Sequence, residues 1–344
     1  MGQPDASDSR LADLTRWVSE DLGFADGRIA PASVDASFRR YFRVTREAES
    51  YIAMDAPPEK ENLEPFLKVA RILLGMGLNV PMVLAKDANR GFLLLSDLGT
   101  RQYLDELKVE GAVDGLYADA LEALGTMQLA DQKIARDLPH YNDALLRREM
   151  ELMPQWFLRD HLGLPVTTDE RGLLDRLFET LARSALAQPA TFVHRDYHSR
   201  NLLVTPANNP GILDFQDAVR GPVTYDLVSL LKDCYIAWPA PRVRTWALQY
   251  RERLLALGFP LGATEAAFLR WFDLAGLQRH IKVLGIFARL YYRDGKSQYL
   301  HDLPRVLCYA RDAAAEYAET AEFADFIVKR IEPEFRHAQA RALA

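Results

Sequence analysis

The sequence predicts an α+β chain of two lobes, a small β-sheet lobe over residues 1–98 and a larger, mainly helical lobe over residues 99–344. Three observations carry that expectation. Short strand-like runs bounded by turn formers are concentrated before residue 98. From Thr100 onward apolar residues recur mostly at helical spacing. One further pair of short apolar runs, Leu202-Leu203-Val204-Thr205 and Gly211-Ile212-Leu213, interrupts the helical half. With 344 residues, 49% hydrophobic and 26% charged, the chain is long enough to bury a large core.

In the first lobe, Leu11, Leu14, Trp17 and Val18 mark a helical stripe over about residues 9–22. Arg39 to Val44 and Ser50 to Met54 read as strands flanking Thr45-Arg46-Glu47-Ala48-Glu49, the expected tip of a hairpin. A helix over about 60–76 closes on Gly75-Met76-Gly77, because glycine accepts the left-handed conformation that ends many helices. Pro81 to Ala85 and Gly91 to Leu95, joined by Lys86 to Arg90, complete a small mixed sheet. In the second lobe, Leu227 to Leu231 and Gly276 to Asp294 are helical, and no internal repeat or low-complexity segment interrupts the pattern.

Composition narrows the function classes. A net charge of −6 argues against nucleic acid, whose binders carry a basic face. Met1 to Asp8 is polar, without the apolar core of a signal peptide, and no run approaches the roughly 18 apolar residues of a membrane span. The expectation is a cytoplasmic protein without a membrane partner. Cys234 and Cys308 have no CxxC or CxxH neighbour and read as reduced packing cysteines. Nothing in the chain indicates an oligomeric state.

The densest chemistry lies in His194-Arg195-Asp196-Tyr197-His198-Ser199-Arg200-Asn201, with Asp214-Phe215-Gln216-Asp217 beginning thirteen residues after Asn201. Between them, Pro206-Ala207-Asn208-Asn209-Pro210 is dense in turn formers, so Leu202 to Leu213 reads as a β-hairpin. Asn201 precedes its first strand and Asp214 follows its second. Paired strands about 5 Å apart bring those two oxygens to one end, where a hard divalent cation such as Mg²⁺ bridges an amide and a carboxylate and keeps its other positions for water and phosphate oxygens. Asp196, five residues before Asn201, is then the acceptor of an attacking hydroxyl's proton. This is the equipment of phosphoryl transfer.

The pattern H-x-D-x-x-x-x-N followed by D-F-x resembles the catalytic and metal-binding loops of the protein-kinase-like fold, in the branch of aminoglycoside and choline phosphotransferases. The longer wording, which includes Ser37 to Arg43, Met54 to Pro58, Asp214 to Pro222, Tyr225 to Leu231 and Gly276 to Asp294, is similar to bacterial anomeric amino-sugar kinases of that family. The resemblance implies ATP as co-substrate, Asp196 as the catalytic residue, and Mg²⁺ on Asn201 and Asp214. It also implies an N-acetylated amino sugar as acceptor, N-acetylmuramate or N-acetylglucosamine, phosphorylated at the C1 hydroxyl on a cell-wall recycling route to UDP-sugars. Adenine is expected on the linker Ser96, Asp97 and Leu98, which follows the apolar run Phe92 to Leu95.

Two departures from the kinase pattern stand out. Ala36-Ser37-Phe38-Arg39-Arg40 replaces a glycine-rich loop, and Ile52-Ala53-Met54-Asp55 puts an aspartate where a strand lysine is expected. Charge on Arg39 or Arg40 is one substitute for the missing amides, and Arg40 or Arg43 is expected to supply the missing cation. On the acceptor side, His198, Arg200 and Arg279 are the candidates, with Gln278 and Lys282 sharing a helix face. Asp226 reads as a carboxylate at a helix N-terminus, favourable there without any function.

Three alternatives stay open at this level. The acceptor is a hydroxylated amine such as an aminoglycoside or choline, the chain is a non-catalytic nucleotide-binding module, or His194-x-Asp196-x-His198 belongs to a zinc hydrolase site.

Overall fold

In the computed structural model, which describes residues 8–34, 38–109, 111–134 and 137–343, the strand-forming runs of the N-terminal part assemble into one sheet. It contains β1 (Arg28–Val34), β2 (Arg40–Arg46), β3 (Glu49–Asp55), β4 (Val83–Asp87) and β5 (Phe92–Ser96), in the order β1-β2-β3-β5-β4. Each of its neighbouring pairs is antiparallel, which corrects the expected mixed sheet.

Sequence periodicity sets the faces. Phe42 and Val44 of β2 are buried, and with Ala53, Phe92 and Leu94 they form one core cluster. Leu14, Trp17 and Val18 complete it from α1 (Ser9–Arg16) and the wider helical turn after it, with the Trp17 and Phe92 ring centroids 5.7 Å apart. Asp8 caps α1 by accepting from the Leu11 amide at 3.1 Å. α2 (Leu63–Gly75) is capped by Asn62, and Gly77 just beyond it takes φ +79°, as the glycine-rich ending predicts.

The sequence reading contains no strand at Arg28–Val34. Pro31 lacks an amide hydrogen, yet an edge strand tolerates it, and β1 is the edge strand with its register shifted between Pro31 and Ser33. The β2–β3 turn is tighter than expected, because Thr45 pairs with Ser50 and Arg46 with Glu49. β4 starts later than predicted and runs through Lys86 and Asp87, charges that suit an outer strand.

The chain divides into two compact units, Met1–Arg101 with Leu203–Asp217, and Gln102–Leu202 with Ala218–Ala344. This differs from the expected division at residue 98. The segment 203–217 joins the first unit because its contacts lie there. The Ile212 amide donates to the Asn79 carbonyl at 2.8 Å, the Val204 amide to Arg101 at 2.7 Å, and Phe215 packs on Phe66 with centroids 4.9 Å apart. The predicted hairpin exists in shorter form, as β7 (Leu202–Leu203) paired with β8 (Gly211–Ile212). A Cβ at Gly211 would lie 3.0 Å from the Leu98 side chain, so this hairpin packs closely on Leu98.

The second unit is helical around one antiparallel pair, β6 (Ala190–Val193) with β9 (Val219–Pro222). Its helices are α3 (Tyr103–Glu106), α4 (Val113–Ile134), α5 (Asp143–Met150), α6 (Thr168–Leu186), α7 (Tyr225–Leu231), α8 (Ala240–Ala256), α9 (Glu265–Asp294), α10 (Leu303–Ala315), α11 (Ala321–Phe326) and α12 (Glu332–Leu343). α9 is the 30-residue axis of the unit and contacts α6, α7 and α10. Its middle is buried although it carries Gln278, Arg279, His280 and Lys282. No helix among the described residues is long and apolar enough to cross a membrane.

Backbone approaches α9 closely at Gly285, where an added Cβ would lie 2.3 Å from the carbonyl carbon of Leu152. Relief of that overlap requires the helix or the Leu152 backbone to move, at about 1–3 kcal/mol or more. Gly285→Ala is therefore expected to lower Tm by roughly 2–12 °C in a thermal melt, at about 2–4 °C per kcal/mol for a unit of this size.

Candidate active site

β6 ends at Val193 and delivers His194 into a loop that the rest of the second unit holds by its backbone. Asp226, in the first turn of α7, accepts from the His194 amide at 2.6 Å and the Arg195 amide at 3.0 Å. Arg195 sits at φ +79°, a left-handed conformation that a non-glycine residue adopts at a cost and that these bonds hold in place. Burial pushes the Asp226 carboxyl up to about 7, against the two amide hydrogen bonds that favour its charged form. The sequence reading missed this role. A legible signal exists, since Asp226 is the one carboxylate in Tyr225 to Leu231, a run buried at every position.

Further bonds brace the loop. Asp196 receives little freedom from them: its amide donates to Nδ1 of His194 at 3.3 Å, and its carbonyl accepts from the His198 amide at 3.1 Å and from Nδ2 of Asn201 at 3.0 Å. Donation by Nδ2 turns the Asn201 amide oxygen away from that carbonyl. The Ser199 amide donates to Asp233 at 2.9 Å and Tyr197 OH to the Ala120 carbonyl at 2.8 Å. Because Nδ1 of His194 accepts a backbone hydrogen bond, His194 acts as a brace for Asp196.

Positive charge surrounds Asp196. Burial would raise its carboxyl, but Lys282, His198, Arg279 and Arg195 bring it down to about 2, so it is a carboxylate throughout the physiological range. Two of these cations share one counter-ion. Glu149 on α5 is paired with Arg195 and, at 3.1 Å, with Nζ of Lys282, while Tyr141 OH donates to its other oxygen. Lys282 also donates to Tyr225 OH at 3.1 Å.

The three expected acceptor-side residues have different surroundings within this unit. The guanidinium of Arg200 stacks on Tyr235 at 3.7 Å and has Asp302 at 3.9 Å. His198 is buried, its ring edge-on to Tyr235 with centroids 5.2 Å apart. Arg279, only 3% exposed, donates to Sγ of Cys234 at 3.2 Å. Tyr235 thus joins His198 to Arg200, and Cys234 beside it touches Arg279. Burial raises the Cys234 thiol to about 11, so it meets Arg279 as a neutral group.

The expected nucleotide residues belong to the first unit. Arg40 and Arg43, expected as the phosphate cation, are each paired with carboxylates of the first unit. Arg40 bonds buried Asp55 at 2.6 and 3.0 Å and also pairs with Asp8, while Arg43 bonds Asp97 at 2.6 and 3.1 Å. Asp55, at the strand-lysine position, also receives Nε of Arg10 at 3.0 Å and so organises two arginines. The Asp97 carboxylate additionally accepts from Ser50 and from the Gly99 amide at 2.9 Å, which fixes the linker. Ser96 is committed to Met82, whose amide donates to its hydroxyl at 2.8 Å, and Leu98 packs over Gly211. Asp214 takes φ +62° and accepts from Gln216 at 2.7 Å.

Arg39 has different company. Its Nε donates to Glu61 at 3.1 Å, and the Phe38 amide donates to the same carboxylate at 3.3 Å. Burial disfavours the charged guanidinium, but the fields of Tyr41, Glu61 and Asp214 raise its pKa overall. Ala36 and Ser37, the rest of the segment in place of a glycine-rich loop, lie outside the described residues.

The model of the phosphotransferase enzyme family matches residues 28–272. The chain is 46% identical over 334 residues to an N-acetylmuramate/N-acetylglucosamine kinase of Pseudomonas putida, covering 94% of this chain and 97% of that one. It is 42% identical over 325 residues to the protein of the same name from Neisseria meningitidis serogroup B, covering 94% and 96%. Among solved structures it resembles an ethanolamine kinase of Plasmodium vivax (TM-score 0.64, 11% identity, 88% of this chain and 87% of that one). It also resembles the gentamicin complex of APH(2″)-IIa (TM-score 0.61, 14% identity, 93% and 99%). At those identities the structures show the fold, and the expected protein-kinase-like α+β architecture is borne out.

If Asp226 anchors the loop, Asp226→Ala frees the buried His194 amide, at about 1–3 kcal/mol, and the part-buried Arg195 amide at less. Hydrogen exchange of the peptide 192–201 is then expected to accelerate at least tenfold, while α9 keeps its protection. Unchanged exchange in that peptide contradicts the anchoring role.

Proposed function

The chain belongs to the phosphotransferase enzyme family, and from that premise we propose that it is an ATP-dependent kinase of N-acetylated amino sugars. The acceptor is N-acetylmuramate or N-acetylglucosamine and the reacting group is the anomeric C1 hydroxyl. The sugar 1-phosphate formed suits a later nucleotidyl transfer to UDP-sugar, on a cell-wall recycling route in the cytoplasm.

The observation that carries the acceptor class is the charge facing Asp196. Lys282, Arg279 and Arg195 act on it together, while burial holds the His198 imidazole below its ordinary range. An aminoglycoside or choline is cationic and calls for carboxylates at that place, whereas an acidic or neutral sugar is compatible with cations. The full-length similarity to two kinases named for N-acetylmuramate and N-acetylglucosamine supports the same choice over an amine acceptor, a zinc hydrolase or a non-catalytic module.

In the proposed reaction the sugar hydroxyl oxygen attacks the γ-phosphorus of ATP in line. A new P–O bond forms as the bond to the β–γ bridging oxygen breaks, and ADP leaves. Asp196 accepts the hydroxyl hydrogen bond and orients the nucleophile. An anomeric hydroxyl is more acidic than an ordinary alcohol, so a carboxylate as weakly basic as Asp196 contributes mainly by positioning. Asn201 and Asp214 offer an amide oxygen and a carboxylate, a donor set that suits Mg²⁺. Bound there, the ion supplies neutralisation of the charge that develops on the phosphoryl oxygens. Ser96, Asp97 and Leu98 form the adenine linker through their backbone, the Asp97 side chain being used to fix it. On the acceptor side His198, Arg200 and Arg279 contact the sugar.

For the phosphate cation we assign Arg39. Its pair with Glu61, which precedes α2, is an arginine counterpart of the lysine–glutamate pair, and its field reaches Asp214. A guanidinium forks onto phosphate oxygens as a lysine cannot.

The test is ADP release with Mg²⁺-ATP across N-acetylmuramate, N-acetylglucosamine, an aminoglycoside and choline, with the phosphate located at C1 in the product. Turnover confined to the amines overturns the acceptor assignment. Asp196→Asn is expected to lower kcat by about 10²–10⁴-fold with ATP affinity retained. Arg39→Ala is expected to raise the KM for ATP and lower kcat, whereas Arg40→Ala chiefly lowers Tm; the reverse pattern removes Arg39 from the phosphate site.

A further inference from the structure

Buried cations are stable only with compensation, so the allocation of carboxylates around the catalytic loop shows which charge is left for a ligand. Lys282 and Arg195 both pair with Glu149. Arg200 is stacked on Tyr235 with Asp302 at 3.9 Å, and Arg305 bonds Asp302 at 3.0 Å and the Cys234 carbonyl at 2.6 Å. Arg279 differs from all of these. It is 3% exposed, its guanidinium donates to the sulfur of Cys234 at 3.2 Å, and it forms no ion pair with a carboxylate among the described residues. A neutral thiol is a weak acceptor and no counter-charge.

Its neighbours are short of partners as well. Nδ1 of His198, whose imidazole feels the field of Arg279, is buried without a hydrogen bond, and so is Oγ of the adjoining Ser199 on the catalytic loop. Each such group costs about 1–3 kcal/mol when left unsatisfied in a folded protein. The loop and the Arg279 segment are tied through consecutive residues, since Asp233 holds the Ser199 amide and Cys234 receives Arg279. One region therefore combines a buried guanidinium, which feels the fields of Asp196 and Asp233 but has no carboxylate in contact, with unused polar atoms of the loop. It is built for a polar ligand with a negative group.

Resting on the amino-sugar reading, we propose that Arg279 is the specificity residue that receives the carboxylate of an acidic amino sugar and so separates it from the neutral one. The two sugars in the relatives' names differ in chemistry at this point, because N-acetylmuramate carries a lactyl ether with a carboxylate where N-acetylglucosamine has a hydroxyl. A guanidinium takes a carboxylate in bidentate fashion, and the fork of Arg279 is fixed in direction by α9. The acidic sugar gains a charge-assisted contact that the neutral sugar lacks.

The experiment compares kcat and KM for both sugars in the wild-type chain, Arg279→Lys and Arg279→Gln, with thermal melts as folding controls. Arg279→Gln is expected to lower kcat/KM for the acidic sugar by about 10- to 100-fold more than for the neutral one, mostly through KM, the range expected of hydrogen bonds to a charged group. Arg279→Lys is expected to restore part of the difference. Equal losses on both sugars mean that Arg279 serves only Asp196, and they overturn the proposal. A second measurement needs no variant: the carboxamide of N-acetylmuramate is expected to show a KM raised by a similar factor in the wild-type chain, and an unchanged KM overturns the proposal. Wild-type turnover of neither sugar, with turnover of an amine, sinks the amino-sugar reading itself and the proposal with it.

Discussion

The candidate chemistry of the second unit depends on one buried carboxylate that faces the backbone. Asp226 takes both amides at the start of the catalytic loop and holds Arg195 in a left-handed conformation that its side chain would otherwise resist. From that anchor the loop turns so that the Asp196 carbonyl can accept from Asn201 and His198 while the Asp196 amide donates to His194. Every later position in the loop inherits its direction from these bonds. Backbone anchoring by a side chain suits a site of this kind, because it fixes direction without using the side chains that do the chemistry.

A second constraint is the supply of negative charge. The chain has an excess of acidic residues, with a net charge of −6, yet the surroundings of Asp196 are cationic. Glu149 reconciles the two by holding Arg195 and Lys282 at once, with Tyr141 on its second oxygen. That pairing keeps two cations stably buried beside a third, Arg279, which has no such partner. The same economy runs through the first unit, where Asp55 and Asp97 hold Arg10, Arg40 and Arg43. Positive groups are numerous, but carboxylates decide which of them stay available.

What the sequence made legible follows from this division. The helical stripe of Leu11, Leu14, Trp17 and Val18, the strand pairs and the glycine-rich end of α2 are local patterns, and they appear within a few residues of their expected bounds. The loop from His194 to Asn201 was legible because phosphoryl transfer demands those residue types at that spacing. Three features were not. β1 carries a proline and depends on its place at the sheet edge. The hairpin's membership of the first unit depends on contacts with Asn79, Arg101 and Phe66, far away in sequence. The engagement of Arg40 and Arg43 by carboxylates depends on partners up to 54 residues away, and no pattern along β2 distinguishes a paired arginine from an available one. Roles of charged residues are set by who else is near, which periodicity does not report.

The aspartate at the strand-lysine position follows the same logic. A lysine in kinases of this fold is held by a glutamate so that its charge faces phosphate. Here Asp55 is fully buried and faces Arg10 and Arg40 instead. The charge at this strand position builds the lobe, tying α1 to the sheet through Arg10 and β3 to β2 through Arg40. Arg39, one residue before the tied Arg40, pairs with Glu61 near the start of α2 and feels the field of Asp214. Asp55 and Glu61 thus divide the arginines of this segment between them, Asp55 taking Arg40 and Glu61 taking Arg39, so that adjacent guanidinium groups are held by different parts of the first unit.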